Sequence, residues 1–263
     1  MAGLDGKLAI QLTKLLQRNF QVAVMIQDQA GKTYALKEQQ EFPGASLLKL
    51  GIAAYVKSRW QVDHSLVDQK LLVTSKERVA GAGVMHHLAQ DSWKLRDMVD
   101  LMLSCSDNTA ANVLLDHFGS RNVSDWLQAS YPGVKLQRYF IHPVVDGKDN
   151  LITAEALLPV WQSFFVQNDE FDRLVKTALH EQTERGKLVY YAGDVGFTGN
   201  TYNKTGDLTD VEHDCARLQL GKDWFDCLIL TKFAGTTQHQ SALQMQREVG
   251  RVLLNNLQTG SGG

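Results

Sequence analysis

Three polar clusters, far apart along the chain, carry side chains that could do covalent chemistry. The first lies in FPGASLLKLGIAAYVKSRW, where Lys49 follows Ser46 by three residues. On a helix such positions share one face. Lys49 also interrupts the apolar run LLKLGIAAYV. An ammonium there is costly unless it is paired, neutralised or used. A serine hydroxyl is a weak nucleophile until a base takes its proton. A lysine desolvated among Leu47, Leu48, Leu50 and Ile52 could have its pKa lowered toward that task. Pro43 and Gly44 allow a sharp turn upstream, which places Ser46 at a first helical turn beside free N–H groups. A capping serine followed by a lysine reaching for water fits the same residues.

The second cluster is Ser106-Asp107-Asn108 in LSCSDNTAANVLLDHFG. It reads as a helix cap, or as a serine that relays a proton beside an amide that orients groups in a cleft. The third is Lys204-Thr205-Gly206 in GNTYNKTGDLTDVEHD. It reads as a turn at a strand end, or as a sheet edge offering a cation, a hydroxyl and a backbone N–H to a substrate. A phosphate loop is excluded, because Asn203 stands where that motif needs glycine.

Taken in order, Ser-x-x-Lys, Ser-Asp-Asn and Lys-Thr-Gly resemble the motif set of class A β-lactamases and penicillin-binding proteins. The likeness extends to DNLITAEAL and VEHDCARL and spans nearly the whole chain. It implies an α/β, β-lactamase-like fold: an antiparallel sheet from the two chain ends with flanking helices, plus an inserted all-α lobe. It also implies that Ser46 is the acylated nucleophile, with Lys49 as its proton acceptor or part of the relay and Ser106 as the shuttle to the leaving nitrogen. Asn108 would hold substrate and Lys49, while Lys204 and Thr205 would bind a substrate carboxylate beside Gly206. The N–H groups of Ser46 and Asp207 would form an oxyanion hole. Asp107 is expected to brace its turn rather than do chemistry.

One departure bears on the second half-reaction. The class A enzymes that this chain resembles use a glutamate to activate the water that clears the acyl-enzyme, and no glutamate occurs between Glu77 and Glu155. Asp116, Asp125, Asp146, Asp149, Glu155 and His142 remain as acids or bases, each with an ordinary structural reading. The expectation is a serine hydrolase that acylates Ser46 with a β-lactam or related amide and deacylates slowly. A non-enzymatic penicillin-binding acylation receptor and a carboxylesterase or peptidase are the alternatives.

The elements that must position these clusters follow from periodicity. Residues 4–18 read as a helix, and QVAVMIQDQAGKTYALKE as a hairpin turning at Ala30-Gly31-Lys32. Helical spacing covers 94–103, 107–118, 122–129, 153–167 and 169–182. Strands return at 212–220 and 224–233, before a closing amphipathic helix over 238–257. Strands at both ends imply an α/β lobe from residues 1–45 and 190–259 and a helical lobe from 46–189, with a ligand cleft between. The tail GSGG (260–263) reads as a linker or tag remnant.

Composition narrows the partners. The 263 residues are 44% hydrophobic and 21% charged, with a net charge of −2. Without a basic cluster, nucleic acid is not an expected partner, and no apolar run reaches the length of a membrane span. The resemblance implies a small-molecule β-lactam or peptide-like substrate instead. No export signal is evident, which places the protein in the cytoplasm, or outside it if such a signal has been removed. Cys105, Cys215 and Cys227 make no disulfide scaffold, although Cys215 and Cys227 could lie close across neighbouring strands. No cysteine or histidine spacing implies a metal or other cofactor. His213-Asp214 is suggestive as a pair, but on a strand after the third motif it reads as making a structural hydrogen bond; His86-His87 reads as surface, and the tryptophans as core.

Overall fold

Among residues 3–260, which the computed structural model describes, the chain ends build a sheet and the middle is mainly helical. Helix α1 (Gly6–Leu16) starts at Asp5, whose carboxylate accepts the Leu8 N–H, and it buries Leu8, Leu12 and Leu16 along one face. The expected hairpin follows as β1 (Gln21–Asp28) and β2 (Thr33–Leu36). Gly31, at φ 78°, supplies its left-handed turn residue. A two-residue strand, β3 (Phe42–Pro43), then leads through a 3-10 turn at Ala45–Leu47 into α2 (Leu48–Trp60).

The middle contains β4 (Lys70–Leu72), β5 (Ser92–Lys94), α3 (Leu95–Ser104), α4 (Asn108–Phe118) and α5 (Ser120–Ser130). After a loop come β6 (Leu151–Ile152), α6 (Ala154–Gln162) and α7 (Glu170–His180). The expected helix over 153–167 stops early, at Gln162. A 3-10 turn at Ser163–Phe165 replaces its end, and the Ser163 carbonyl there accepts from the buried Lys57 ammonium at 2.8 Å. Strands β7 (Asn200–Leu208), β8 (Val211–Leu220) and β9 (Asp223–Lys232) precede the closing helix α8 (Gly235–Gly260). Gly260, the first residue of the GSGG tail, ends α8, and residues 261–263 lie outside the described residues.

The five-stranded sheet runs β2-β1-β9-β8-β7, antiparallel throughout. Its side chains alternate between two cores. On one face Val24, Ile229 and Cys227 pack with Leu12 of α1 and Val249 and Leu253 of α8. On the other, Cys215, Leu228 and Leu230 pack with α2 and the helical middle. The expected closeness of Cys215 and Cys227 is therefore corrected. Cys215 pairs with Leu228 and Cys227 with Ala216, a one-residue offset that sends the two thiols to opposite faces. Strand β7 lies at the sheet edge, so one row of its N–H and C=O groups has no strand partner. Helix α2 runs through the middle of the helical core, buried continuously from Leu48 to Lys57. No helix of the described residues is long and apolar enough to cross a membrane.

Candidate active site

Ser46 sits on the 3-10 turn, not on the helix itself. Its predecessor Ala45 takes φ 44°, a left-handed conformation unusual for a residue with a Cβ. Two anchors hold this turn. The Gly44 N–H donates to Asn150 O at 2.7 Å, extending the β3–β6 pairing. His213 Nε2, on β8, lies 2.8 Å from Pro43 O, while its Nδ1 accepts the Thr231 N–H at 3.1 Å. The Thr231 bond requires a bare Nδ1, so Nε2 carries the proton and donates to Pro43. Burial pushes the ring's pKa down to about 4 and keeps it neutral. The structural reading of His213 stands.

Lys49, the second residue of α2, is completely buried. Its Nζ contacts Ser46 Oγ at 3.0 Å, Ser106 O at 2.5 Å, Ser106 Oγ at 3.1 Å and Asn108 Oδ1 at 2.7 Å. Two of these four oxygens, the Ser106 carbonyl and the Asn108 amide, can only accept. A neutral amine has two hydrogens for them and one lone pair left for a hydroxyl proton. Burial drives the Lys49 pKa well below a lysine's ordinary value and the Lys204 charge pushes the same way, with Asp107 opposing. Geometry and electrostatics agree on an amine that can take the Ser46 proton.

Ser106 lies between two lysines, because Lys204 Nζ also reaches its Oγ at 3.0 Å. It adopts φ 58°, a conformation that its contacts with both amines help to hold. Asp107 caps α4 through the Ala110 N–H and accepts the Val84 and Met85 N–H groups at 2.6 and 2.8 Å. It braces the neighbouring loop, as expected. Gly83 is required beside it, since a Cβ there would stand 2.3 Å from the Asp107 carboxylate. Lys204 is buried, and desolvation brings its pKa down to about 8.

Gly206 packs against the nucleophile's turn so tightly that a Cβ would meet Leu47 N at 3.0 Å and the Ala45 Cβ at 3.2 Å. Thr205 and Asp207 alternate onto the other face of β7, in register with Asp214 and Glu212. The site therefore gathers the side chains of Ser46, Lys49, Ser106, Asn108 and Lys204 into one network. Along β7 it brings backbone to the nucleophile's turn.

None of the alternative acids or bases touches that network. Asp116 accepts from the Tyr139 hydroxyl, Asp149 pairs with Arg138, and Asp125 pairs with Arg121 at the surface. Asp146, Glu155 and His142 are exposed. Against Lys49 lies instead the ring of Phe140, its centroid 4.7 Å from Nζ. Asn112, one turn along α4 from Asn108, clamps Phe140 in place. Its Oδ1 accepts the Phe140 N–H at 2.9 Å and its Nδ2 donates to Phe140 O at 3.1 Å. Sequence reasoning missed both residues. The only local signal is the repeat of asparagine four positions after Asn108, on the same helix face.

Solved structures share this architecture. The β-lactamase from Sphaerobacter thermophilus DSM 20745 superposes with a TM-score of 0.84 over 97% of this chain and 99% of its own, at 21% identity. PBP-A gives 0.80 over 97% of both chains at 18% identity. The class A β-lactamase from Mycobacterium abscessus gives 0.81 at 18% identity, over 94% of this chain and 98% of its own. At the sequence level no curated protein matches. The beta-lactamase enzyme family model matches residues 7–257, and the chain belongs to that family of serine hydrolases.

Proposed function

We propose that the protein acylates Ser46 with a β-lactam or related amide and releases the product slowly. The observation that carries this reading is the Lys49 amine, 3.0 Å from Ser46 Oγ, with two acceptor-only oxygens fixing its remaining hydrogens. Lys49 takes the hydroxyl proton as Ser46 Oγ bonds to the carbonyl carbon. The carbonyl electron pair moves onto oxygen, where the N–H groups of Ser46 and Asp207 would hold it. Collapse breaks the C–N bond, and the leaving nitrogen takes a proton from Ser106 Oγ. Lys49 restores that proton across their 3.1 Å contact, while Lys204 holds the Ser106 oxygen at 3.0 Å.

Release requires a water with its own base. Among the described residues no carboxylate contacts Lys49 or Ser46, and Phe140 fills the space beside the amine. That feature supports a long-lived acyl-enzyme, and with it the second reading, a penicillin-binding receptor for which the adduct is the product. Rapid-mixing kinetics with nitrocefin test both. A burst of about one equivalent followed by slow turnover is expected. Many fast turnovers without a burst would show that another group activates the water.

A further inference from the structure

Outside the polar network around Ser46, a cavity of about 270 Å³ lies where the end of α2 and the start of α3 meet α7. Trp60, Val67, Phe171 and Leu174 give it an apolar lining. The Trp60 indole is stacked on His64, with ring centroids 4.4 Å apart, and lies 5.8 Å from the Phe171 ring. Two hydrogen-bond donors of lining residues have no partner. Trp60 Nε1 and Arg96 Nε are both buried, and neither donates to an acceptor among the described residues. Buried donors are nearly always paired, and a bare one is costly. Both orphans are donors only, so the missing partner is an acceptor.

The charges nearby suit an anionic one. Arg96 is loosely engaged: its Nη2 meets Asp68 at 3.2 Å and Glu170 at 3.3 Å, longer than the usual charge-assisted bond of about 2.7–2.9 Å. Both carboxylates are more than half exposed, so these pairs are weak and the guanidinium can turn toward the cavity at little cost. Arg173 lines the same cavity and is exposed. Its Nη1 donates to the Asn168 carbonyl at 2.8 Å. The carboxylates around it are committed elsewhere, Asp172 to Lys57, Glu170 to Arg96 and Asp169 to the Asp172 N–H. Lys176, three residues along α7, contacts the neutral Asn168 amide. Among the described residues, α7 thus presents two cations without an acidic partner beside an apolar lining.

We propose that this cavity is a second binding site, taking a small carboxylate with an aromatic or branched apolar body. The body would cover Trp60, Phe171 and Leu174, and the carboxylate would accept from Arg173 and from the two unpartnered donors. The space is ample, since a cavity of about 150 Å³ can hold benzene. The inference stands apart from the acyl-enzyme reading, because no residue of this lining hydrogen-bonds to Ser46, Lys49, Ser106, Asn108 or Lys204.

The test titrates the isotope-labelled protein with millimolar phenylacetate, and with phenylacetamide as its neutral counterpart, and follows the Trp60 indole N–H in heteronuclear spectra. That signal is identified by its loss in Trp60→Phe or, should the variant not fold, by Overhauser contacts with Phe171. Phenylacetate is expected to move it saturably and to bind about tenfold more tightly than the amide. Arg173→Gln, a change at an exposed position, should weaken phenylacetate about fivefold or more and leave the amide unaffected. A Trp60 signal that neither compound moves would leave the cavity to water and overturn the inference. Equal affinities for acid and amide, or undiminished phenylacetate binding in Arg173→Gln, would overturn it as well.

Discussion

In the proposed mechanism Lys49 and Lys204 take two roles with identical side chains, and the division is electrostatic. Lys49 must be neutral to accept a proton, and its burial beside a second cation lowers its pKa well below the ordinary value. Lys204 must stay charged to stabilise Ser106, and it loses its proton near pH 8. Acylation should therefore rise with pH as Lys49 deprotonates and fall again above about pH 8, a bell whose limbs a pH series of adduct-formation rates would show. A rate still climbing well above pH 9 would contradict the role of Lys204. In the same proposed mechanism Phe140 occupies the side of Lys49 where a carboxylate could serve the second half-reaction. Phe140→Glu would set a carboxylate near the amine and is expected to shorten the adduct's lifetime at least about tenfold, measured as loss of a fluorescent penicillin label. The five residues of the polar network were legible through the resemblance, since each cluster taken singly also reads as a cap or a turn. Phe140 was not, since an aromatic side chain in a loop looks like any core residue until its neighbour is known.

At the scale of elements, the site depends on how β3, β7 and β8 hold a 3-10 turn. Most of the longer helices and the strands β1, β2, β8 and β9 could be read from their periods of hydrophobicity, whereas β7 could not. The pairs β3–β6 and β4–β5 could not, because two or three residues carry no period. The sequence also placed Ser46 on the helix, whereas the left-handed Ala45 and the tight approach of Gly206 put it on the turn before. His213 is the fastener between β8 and β3, and it works only as the neutral ring. Its pKa is about 4 when folded against an ordinary 6.5, so the unfolded chain binds a proton first as pH falls. The contribution of His213 to stability is full above pH 6.5 and is lost toward pH 4, by about 3 kcal/mol across that window. Urea unfolding of wild type and His213→Asn should show the wild-type advantage shrinking over this range. A constant difference would mean that the ring is not held neutral.

For the whole molecule, the sheet and the helical core are joined by buried polar contacts as well as apolar packing. Arg217 on β8 pairs with both oxygens of Asp226 on β9 at 2.7 Å, and Trp161 Nε1 on α6 donates to the same carboxylate at 3.0 Å. Asp226→Ala would leave the Arg217 charge buried without its partner, a loss expected to cost about 3–5 kcal/mol in urea unfolding without altering any residue of the acylation network. Arg217 and Asp226 stand opposite each other on the β8–β9 hairpin, but nothing local marks Trp161, 65 residues away, as the third partner. The central claim is also a whole-molecule observable, because acylation changes the mass of the intact chain. Wild-type protein incubated with millimolar benzylpenicillin should gain the mass of one ligand, while Ser46→Ala gains none and Lys49→Ala gains it about a hundredfold or more slowly. The same gain retained in Ser46→Ala, or an undiminished rate in Lys49→Ala, would contradict the account.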